Sequence, residues 1–232
     1  MRALWSAIGF LTVLPVPKDL EWAPLREAAS WFPAVGWVLG AVICAVFAIP
    51  GVPDGLGAAL ALAAWLALTG MLHLDGLLDC ADGLLAPVSL ERRLEILKDV
   101  QIGAFGFGVG VVFLLLKWQA ITALTSDAMW TLLAIPVWAR FAVLLPMSWF
   151  PTARPDGLGA RARGGNLRLA MVLTLPAVVI APAVGGAMVL GVGIAAWLAA
   201  RRLGGGLTGD VYGALIEIAE LVGLLAAVIL AA

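Results

Sequence analysis

Hydrophobic residues fall into long runs separated by short polar segments. Runs suited to crossing a bilayer, roughly 20 mainly apolar residues each, lie at Pro33–Ile49, Leu56–Leu72, Ala104–Leu124, Trp130–Trp149, Leu169–Ala181, Ala183–Ala200 and Val211–Ala232. Leu169–Ala200 holds no charged residue. It is too long for one ordinary span, and Pro182 followed by Gly185 and Gly186 offers a turn in its middle. The pattern predicts an all-α, polytopic membrane helical bundle of about seven transmembrane helices, or six if that stretch is one long tilted helix. Trp31, Trp130, Trp149 and Trp197 sit near run ends, as interface anchors do. Gly36-x-x-x-Gly40 and Gly106-x-x-x-Gly110 permit close helix contact. No internal repeat or low-complexity boundary interrupts the chain, so 1–232 reads as a single transmembrane domain.

The polar segments set the expected orientation. Twelve of the 14 Lys and Arg fall in four places: Arg2, Lys18 and Arg26; Arg92, Arg93 and Lys98; Arg154, Arg161, Arg163 and Arg168; Arg201 and Arg202. Seven alternating spans put all twelve on one side, while the opposite loops near Asp54, Asp127 and Pro182 hold none. The positive-inside rule then makes the N-terminus cytoplasmic, together with segments 73–103, 150–168 and 201–210. Arg2 followed by Trp5–Val16 looks like a signal peptide. No small-residue cleavage site follows, and Pro15 and Pro17 break the segment. Residues 1–17 are therefore expected to be a retained interfacial or re-entrant segment.

Composition agrees. The chain is 63% hydrophobic and 12% charged, with a mean hydropathy of +1.06. Soluble domains run about 45–50% apolar and about 25% charged. An ordinary cytosolic enzyme and a disordered chain are excluded. The net charge of −1 gives no attraction to nucleic acid. Two cysteines, Cys44 and Cys80, are too few for a disulfide framework or a thiolate metal site.

The candidate chemistry is acidic. His73-Leu-Asp75-Gly-Leu-Leu-Asp79-Cys-Ala-Asp82-Gly83 follows directly from an apolar run. If the second helix continues here, Asp75, Asp79 and Asp82 share one face at i, i+4, i+7. Two carboxylates about 6 Å apart repel by roughly 3 kcal/mol at an effective dielectric near 20. Leu77, Leu78, Leu84 and Leu85 between them argue for packing rather than free solvation. A hard divalent cation such as Mg²⁺ would offset the repulsion. Asp99, beyond an amphipathic connector, could be a fourth ligand or a general base. Arg92, Arg93 and Lys98 could hold phosphates, or simply anchor the loop. Lys117 and Arg140 fall inside runs, where a cation is a functional candidate by default. Arg140 could pair with an acid or grip an anionic substrate, while Lys117 could snorkel beside Trp118. A last cluster joins Arg202, Gly204 and Gly205 to Asp210, Glu217 and Glu220. It reads either as ion pairs to Lys117 or Arg140, or, the reading preferred here, as a wall of a metal and phosphate site. His73, the lone histidine, is expected to support the site rather than act in it.

These segments resemble the cobalamin synthase, or adenosylcobinamide-GDP ribazoletransferase, family along nearly the whole chain. The resemblance is carried by Gly9-Phe10-Leu11-Thr12 with Pro15-Val16-Pro17, and by Trp31-Phe32-Pro33-Ala34-Val35-Gly36. It continues in His73–Gly83, in Lys98-Asp99 with Ile102-Gly103-Ala104-Phe105-Gly106, and in Arg202-Leu203-Gly204-Gly205 with Thr208-Gly209-Asp210. The resemblance implies a Mg²⁺-dependent transferase of the bacterial or archaeal inner membrane. It would join α-ribazole, or its 5′-phosphate, to adenosylcobinamide-GDP and release GMP. Lipid surrounds such a chain, nucleic acid is not a partner, and a homo-oligomer is compatible with it. On this reading Asp75, Asp79 and Asp82 hold metal, and Asp99 is a ligand or base. Asp82 or Asp99 deprotonates the attacking hydroxyl, and Arg92, Arg93, Lys98, Lys117, Arg140, Arg202, Gly204, Gly205, Asp210 and Glu217 surround the substrates.

Asp79-x-x-Asp82-Gly83-x-x-Ala86 is also similar to the start of the CDP-alcohol phosphotransferase motif, but Pro87 stands where that family continues with Arg. Lipid synthesis by such a phosphotransferase is one alternative. A cation-coupled transporter is another, and it predicts inverted repeats that the sequence does not display.

Overall fold

The computed structural model describes residues 1–124 and 129–231. The expected outer loop about Asp127, and Ala232, lie outside the described residues. The chain starts with α1 (Arg2–Leu11) and α2 (Leu25–Ala29), tied where Ser6 Oγ accepts from the Ala23 amide at 2.9 Å. Ser6, Ala7 and Leu11 are buried. The expected interfacial segment is thus a helix docked on α2 and on the first apolar helix, α3 (Phe32–Phe47).

Apolar helices follow the runs. They are α4 (Asp54–Leu68), then, after the acidic α5 (Leu72–Leu85) and the short connector α6 (Leu90–Ile96), α7 (Ala104–Thr122). Next α8 (Met129–Ala142) and α9 (Leu144–Trp149) read together as one apolar stretch of 21 residues. A single turn, α10 (Leu158–Arg161), precedes α11 (Leu167–Ile180), α12 (Pro182–Arg202) and α13 (Gly209–Ala231). Four stretches are long and apolar enough to cross a membrane: α7, α8 with α9, α12 and α13. The chain is a multi-pass membrane protein. α3 and α11, at 16 and 14 residues, are shorter. At 1.5 Å per residue α11 reaches about 21 Å, against a hydrocarbon core of about 30 Å.

Leu169–Ala200 divides where its turn residues fall: α11 stops at Ile180, and Pro182 starts α12 at a position where its missing N–H costs nothing. The second span differs from expectation. The helix does not continue into the aspartates. Gly70 and Met71 both take left-handed φ, +56° and +58°, and the chain bends by 88° between α4 and α5. Two successive left-handed residues end any right-handed helix. Gly70 does so without a Cβ penalty, and Met71 is the one described non-glycine residue with positive φ.

α8 sits at the centre, with every residue from Ala134 to Leu144 buried. It packs most closely against α3. A Cβ on Gly36 would lie 2.5 Å from Val137 Cα, and one on Gly40 would strike the Leu133 carbonyl. Gly106 and Gly110 likewise admit Leu78 of α5 onto α7. Both glycine pairs are helix contacts, as their spacing predicts. Gly36→Ala forces two backbones apart and is expected to cost about 1–3 kcal/mol. It should lower the thermal midpoint of the detergent-purified protein, and an unchanged midpoint would show the α3–α8 contact to be loose.

Candidate active site

α5 carries the acidic face. After the bend it crosses α13 at two glycines. A Cβ on Gly76 would lie 2.6 Å from the Asp210 carbonyl oxygen, and Gly213 faces His73 and Gly76. This crossing brings the aspartates of α5 up to Asp210. Asp79 feels Asp75, Asp210 and Asp82 as like charges and Arg154 as the opposing cation. Asp75 is exposed, and Asp79 and Asp82 are half-buried. The helical face read from the spacing is present, although on a separate helix.

Asp82 has a further task. Its two carboxylate oxygens accept from the Gly103 and Gly106 amides at 2.8 and 2.9 Å, at the N-terminus of α7. Those amides have no partner within their own helix, and a carboxylate there also meets the positive end of the helix dipole. A carboxylate offers about four lone-pair sites, so two remain. The same, C-terminal end of α5 is also held by two arginines. Buried Arg93 donates to the Gly83 and Leu84 carbonyls at 3.0 and 2.8 Å, and Arg202 donates to Leu84 at 3.0 Å. Both were candidate phosphate ligands, and both hold last-turn carbonyls of α5.

Arg154 was missed as a site residue. Its Nη1 donates to Asp210 Oδ2 at 3.2 Å and its Nη2 to the Leu94 carbonyl at 3.0 Å. The placement comes from a short pairing of 151–153 with 206–207. The Ala153 amide donates to Leu207 O and the Leu207 amide to Pro151 O, each at 2.9 Å. Gly206 makes this possible, because a Cβ there would lie 2.7 Å from the Ala153 nitrogen. Gly204 and Gly205, at φ +70° and +98°, end α12, and the Gly205 amide donates to Ala200 O at 2.7 Å. The sequence signal for Arg154 was weak: one of four basic residues in a loop.

Beside this pair lies a cavity of about 230 Å³. Phe10, Phe32, Val143 and Met147 give it an apolar side. Its polar groups are Asp75, Asp210, Arg154, His73 and Tyr212. Among the described residues, His73 Nε2, Arg154 Nε and the Tyr212 hydroxyl are buried without a hydrogen-bond partner.

Other candidates lie elsewhere. Lys117 is fully buried, donates to Glu217 at 2.9 Å and Glu220 at 2.7 Å, and rests 4.4 Å above the Trp65 ring. Arg140, also fully buried, pairs with Glu220. The two cations and two carboxylates form a formally neutral network, in which Arg140 Nε and Nη2 have no hydrogen-bond partner among the described residues. The ion-pair reading of this cluster therefore describes it, and Lys117, Arg140 and Glu217 do not line the cavity. Arg92 is exposed and pairs with Glu95 at 2.8 Å. Lys98 is exposed. Asp99 is exposed and accepts from the Gln101 amide at 3.1 Å in a local turn. Among the described residues, no three His, Cys, Asp or Glu side chains converge as they stand into a metal-holding group.

Residues 3–228 match the family model described as Cobalamin-5-phosphate synthase. The adenosylcobinamide-GDP ribazoletransferase of Deinococcus radiodurans is 45% identical over 225 residues, covering 95% of this chain and 83% of the relative. The ribazoletransferases of Desulfitobacterium hafniense and Ralstonia pickettii are 37% and 36% identical. They cover 98% and 97% of this chain, and 96% and 95% of those relatives. No solved structure matches.

Breaking a buried ion pair from one side strands a charge and costs about 3–5 kcal/mol. Lys117→Met should therefore lower the thermal midpoint sharply, and adding Glu217→Gln should restore part of it. A single variant as stable as the parent would mean the network contributes little.

Proposed function

The chain belongs to the Cobalamin-5-phosphate synthase family, and from that premise we propose that it joins α-ribazole, or its 5′-phosphate, to adenosylcobinamide-GDP and releases GMP. This step assembles the nucleotide loop of vitamin B12. The observation that carries the site assignment is the acidic face of α5 meeting the Arg154–Asp210 pair beside a cavity. The alternatives of CDP-alcohol transfer and cation-coupled transport find no support in the relatives' names. The acids deepest in α13 are closed in ion pairs rather than strung along a pathway.

The donor set fits Mg²⁺, which is usually bound by one or two carboxylates plus substrate phosphates rather than by an all-protein cage. Asp79 and Asp82 are the pair we assign to it. When bound, the ion neutralises charge on the phosphoryl oxygens. Asp75 lines the cavity and makes no ion pair among the described residues, so we assign it the proton of the attacking hydroxyl. A ribose oxygen forms a bond to the phosphorus on the corrinoid side. The bond from that phosphorus to the bridging oxygen breaks, GMP leaves with the electron pair, and the hydroxyl proton passes to Asp75. Arg154 holds Asp210 and steadies the anionic surroundings of the mouth. Asp99 stands outside this arrangement. The basic segments around the mouth support a cytoplasmic site in the inner membrane, since Arg93 and Arg202 both reach Leu84 of α5.

The test is GMP release by the purified chain from adenosylcobinamide-GDP and α-ribazole. Equal amounts of GMP and corrinoid product are expected, abolished by EDTA and restored by Mg²⁺. Asp75→Asn should lower kcat by about 10²–10⁴-fold, while Asp99→Asn should stay within about threefold of the parent. Full activity in Asp75→Asn would remove it as the proton acceptor. Turnover indifferent to EDTA would remove the metal.

A further inference from the structure

We infer that the cavity between α1, α5, α9 and α13 is the seat of the nucleoside acceptor, its aromatic base held in the apolar side and a ribose hydroxyl turned to Asp75. The inference rests on the transferase reading and assigns which of the two substrates the cavity takes. Three observations carry it. The first is size. At about 230 Å³ the cavity lies just under the usual range of about 300–1,000 Å³ for small-molecule sites. That suits a nucleoside, whereas a corrin joined to a nucleoside diphosphate is far larger.

The second is charge. Two carboxylates, Asp75 and Asp210, face the cavity against one guanidinium, Arg154, which is already paired to Asp210. A diphosphate entering these walls meets net repulsion, while an uncharged base and sugar meet none. The GDP-corrinoid is therefore held outside, across the mouth beside Asp79 and Asp82, where the Mg²⁺ assigned to those carboxylates would offset the repulsion.

The third is the set of unpartnered groups. His73 is 2% exposed and Tyr212 6% exposed, and both line the cavity. His73 Nε2 and the Tyr212 hydroxyl lack partners among the described residues, as does Arg154 Nε. An unmade hydrogen bond at a buried polar group is costly, and such groups are rare. The His73 ring lies beside Arg140, Glu220 and Lys117 and is assigned no substrate contact, whereas the Tyr212 phenol can both donate and accept. A sugar hydroxyl also donates and accepts, so it satisfies the phenol in either sense, which the acceptor-only oxygens of a diphosphate do not. Among the apolar lining residues Phe10 and Phe32 stack at 5.9 Å with their planes 11° apart. A flat fused-ring base extends such a stack.

The test separates the two substrates. KM is measured for α-ribazole and for adenosylcobinamide-GDP in the parent, in Tyr212→Phe and in Val143→Trp. Equilibrium dialysis with α-ribazole alone reads the acceptor directly. Tyr212→Phe removes one oxygen, keeps the ring, and should raise the α-ribazole KM about fivefold, leaving the other KM within twofold. Val143→Trp fills the apolar side and should abolish dialysis binding. Tyr212→Phe keeps the question answerable where the tryptophan variant fails to fold. An active parent whose α-ribazole KM is unmoved in Tyr212→Phe, or whose GDP-corrinoid KM moves instead, overturns the cavity assignment and keeps the transferase. A folded parent that turns over neither substrate overturns the transferase reading itself.

Discussion

The arrangement depends on one close approach, α5 laid across α13 with Gly76 against the Asp210 backbone. A side chain at Gly76 would run into that carbonyl at 2.6 Å, so the contact exists only because the position is bare. Three consequences follow from this single crossing. Asp75 and Asp79 are carried up to Asp210, which sets carboxylates from two helices within each other's field. His73 is pressed toward α13, where Gly213 leaves room for its backbone. The cavity opens on the same side, because two helices crossing at their narrowest points diverge on either flank. Helices in lipid associate by packing and polar contacts, not by a hydrophobic drive, so small residues at a crossing decide geometry directly.

A crossing alone would leave α5 free to slide. Its C-terminal carbonyls are gripped by Arg93 and Arg202, and Asp82 pins its outer flank to the first amides of α7. The positive charges nearest α5 are thus spent on backbone oxygens, Asp82 is met by the α7 amides, and burial with the neighbouring carboxylates pushes the Asp79 carboxyl up to about 7 against the single opposing charge of Arg154. That division explains why a helix with three carboxylates on one face carries no lysine or arginine of its own. Compensation from within would cancel the field the site uses. Compensation at the helix ends fixes position and leaves the field standing. The deeper ions obey the opposite rule. Lys117, Arg140, Glu217 and Glu220 neutralise one another, because isolated charges at that depth would be costly to bury.

The long apolar helices were legible in the sequence for a plain reason: each is an apolar run, and membranes demand such runs. That α3 meets another helix closely at Gly36 and Gly40 was legible too, though not that its partner is α8. The i, i+4, i+7 face of α5 followed from helical periodicity. What escaped had no local pattern. The 88° bend rests partly on Met71, a residue type that gives no warning of left-handed φ. Arg154 reaches Asp210 across 56 residues of chain, through a pairing that Gly206 permits and nothing announces. Lys117 and Arg140 were visible as charges out of place, yet a sequence cannot distinguish a cation waiting for substrate from one already held by Glu217 and Glu220.

The fixing of α5 bears on what kind of catalyst this can be. A transferred phosphoryl group asks for position and charge, and little covalent help from the protein. Both can be supplied by one rigid helix if its carboxylates neither swing nor sink into lipid. Asp82 meets this demand by being an anchor and an acid at once: the amides of Gly103 and Gly106 fix its orientation while leaving lone pairs outward. Replacing it therefore loosens α7 from α5 as well as removing a charge. Asp79, with no such anchoring contact among the described residues, isolates the electrostatic part, and comparing the two residues separates what the acidic face does by charge from what it does by holding the bundle's mouth in shape.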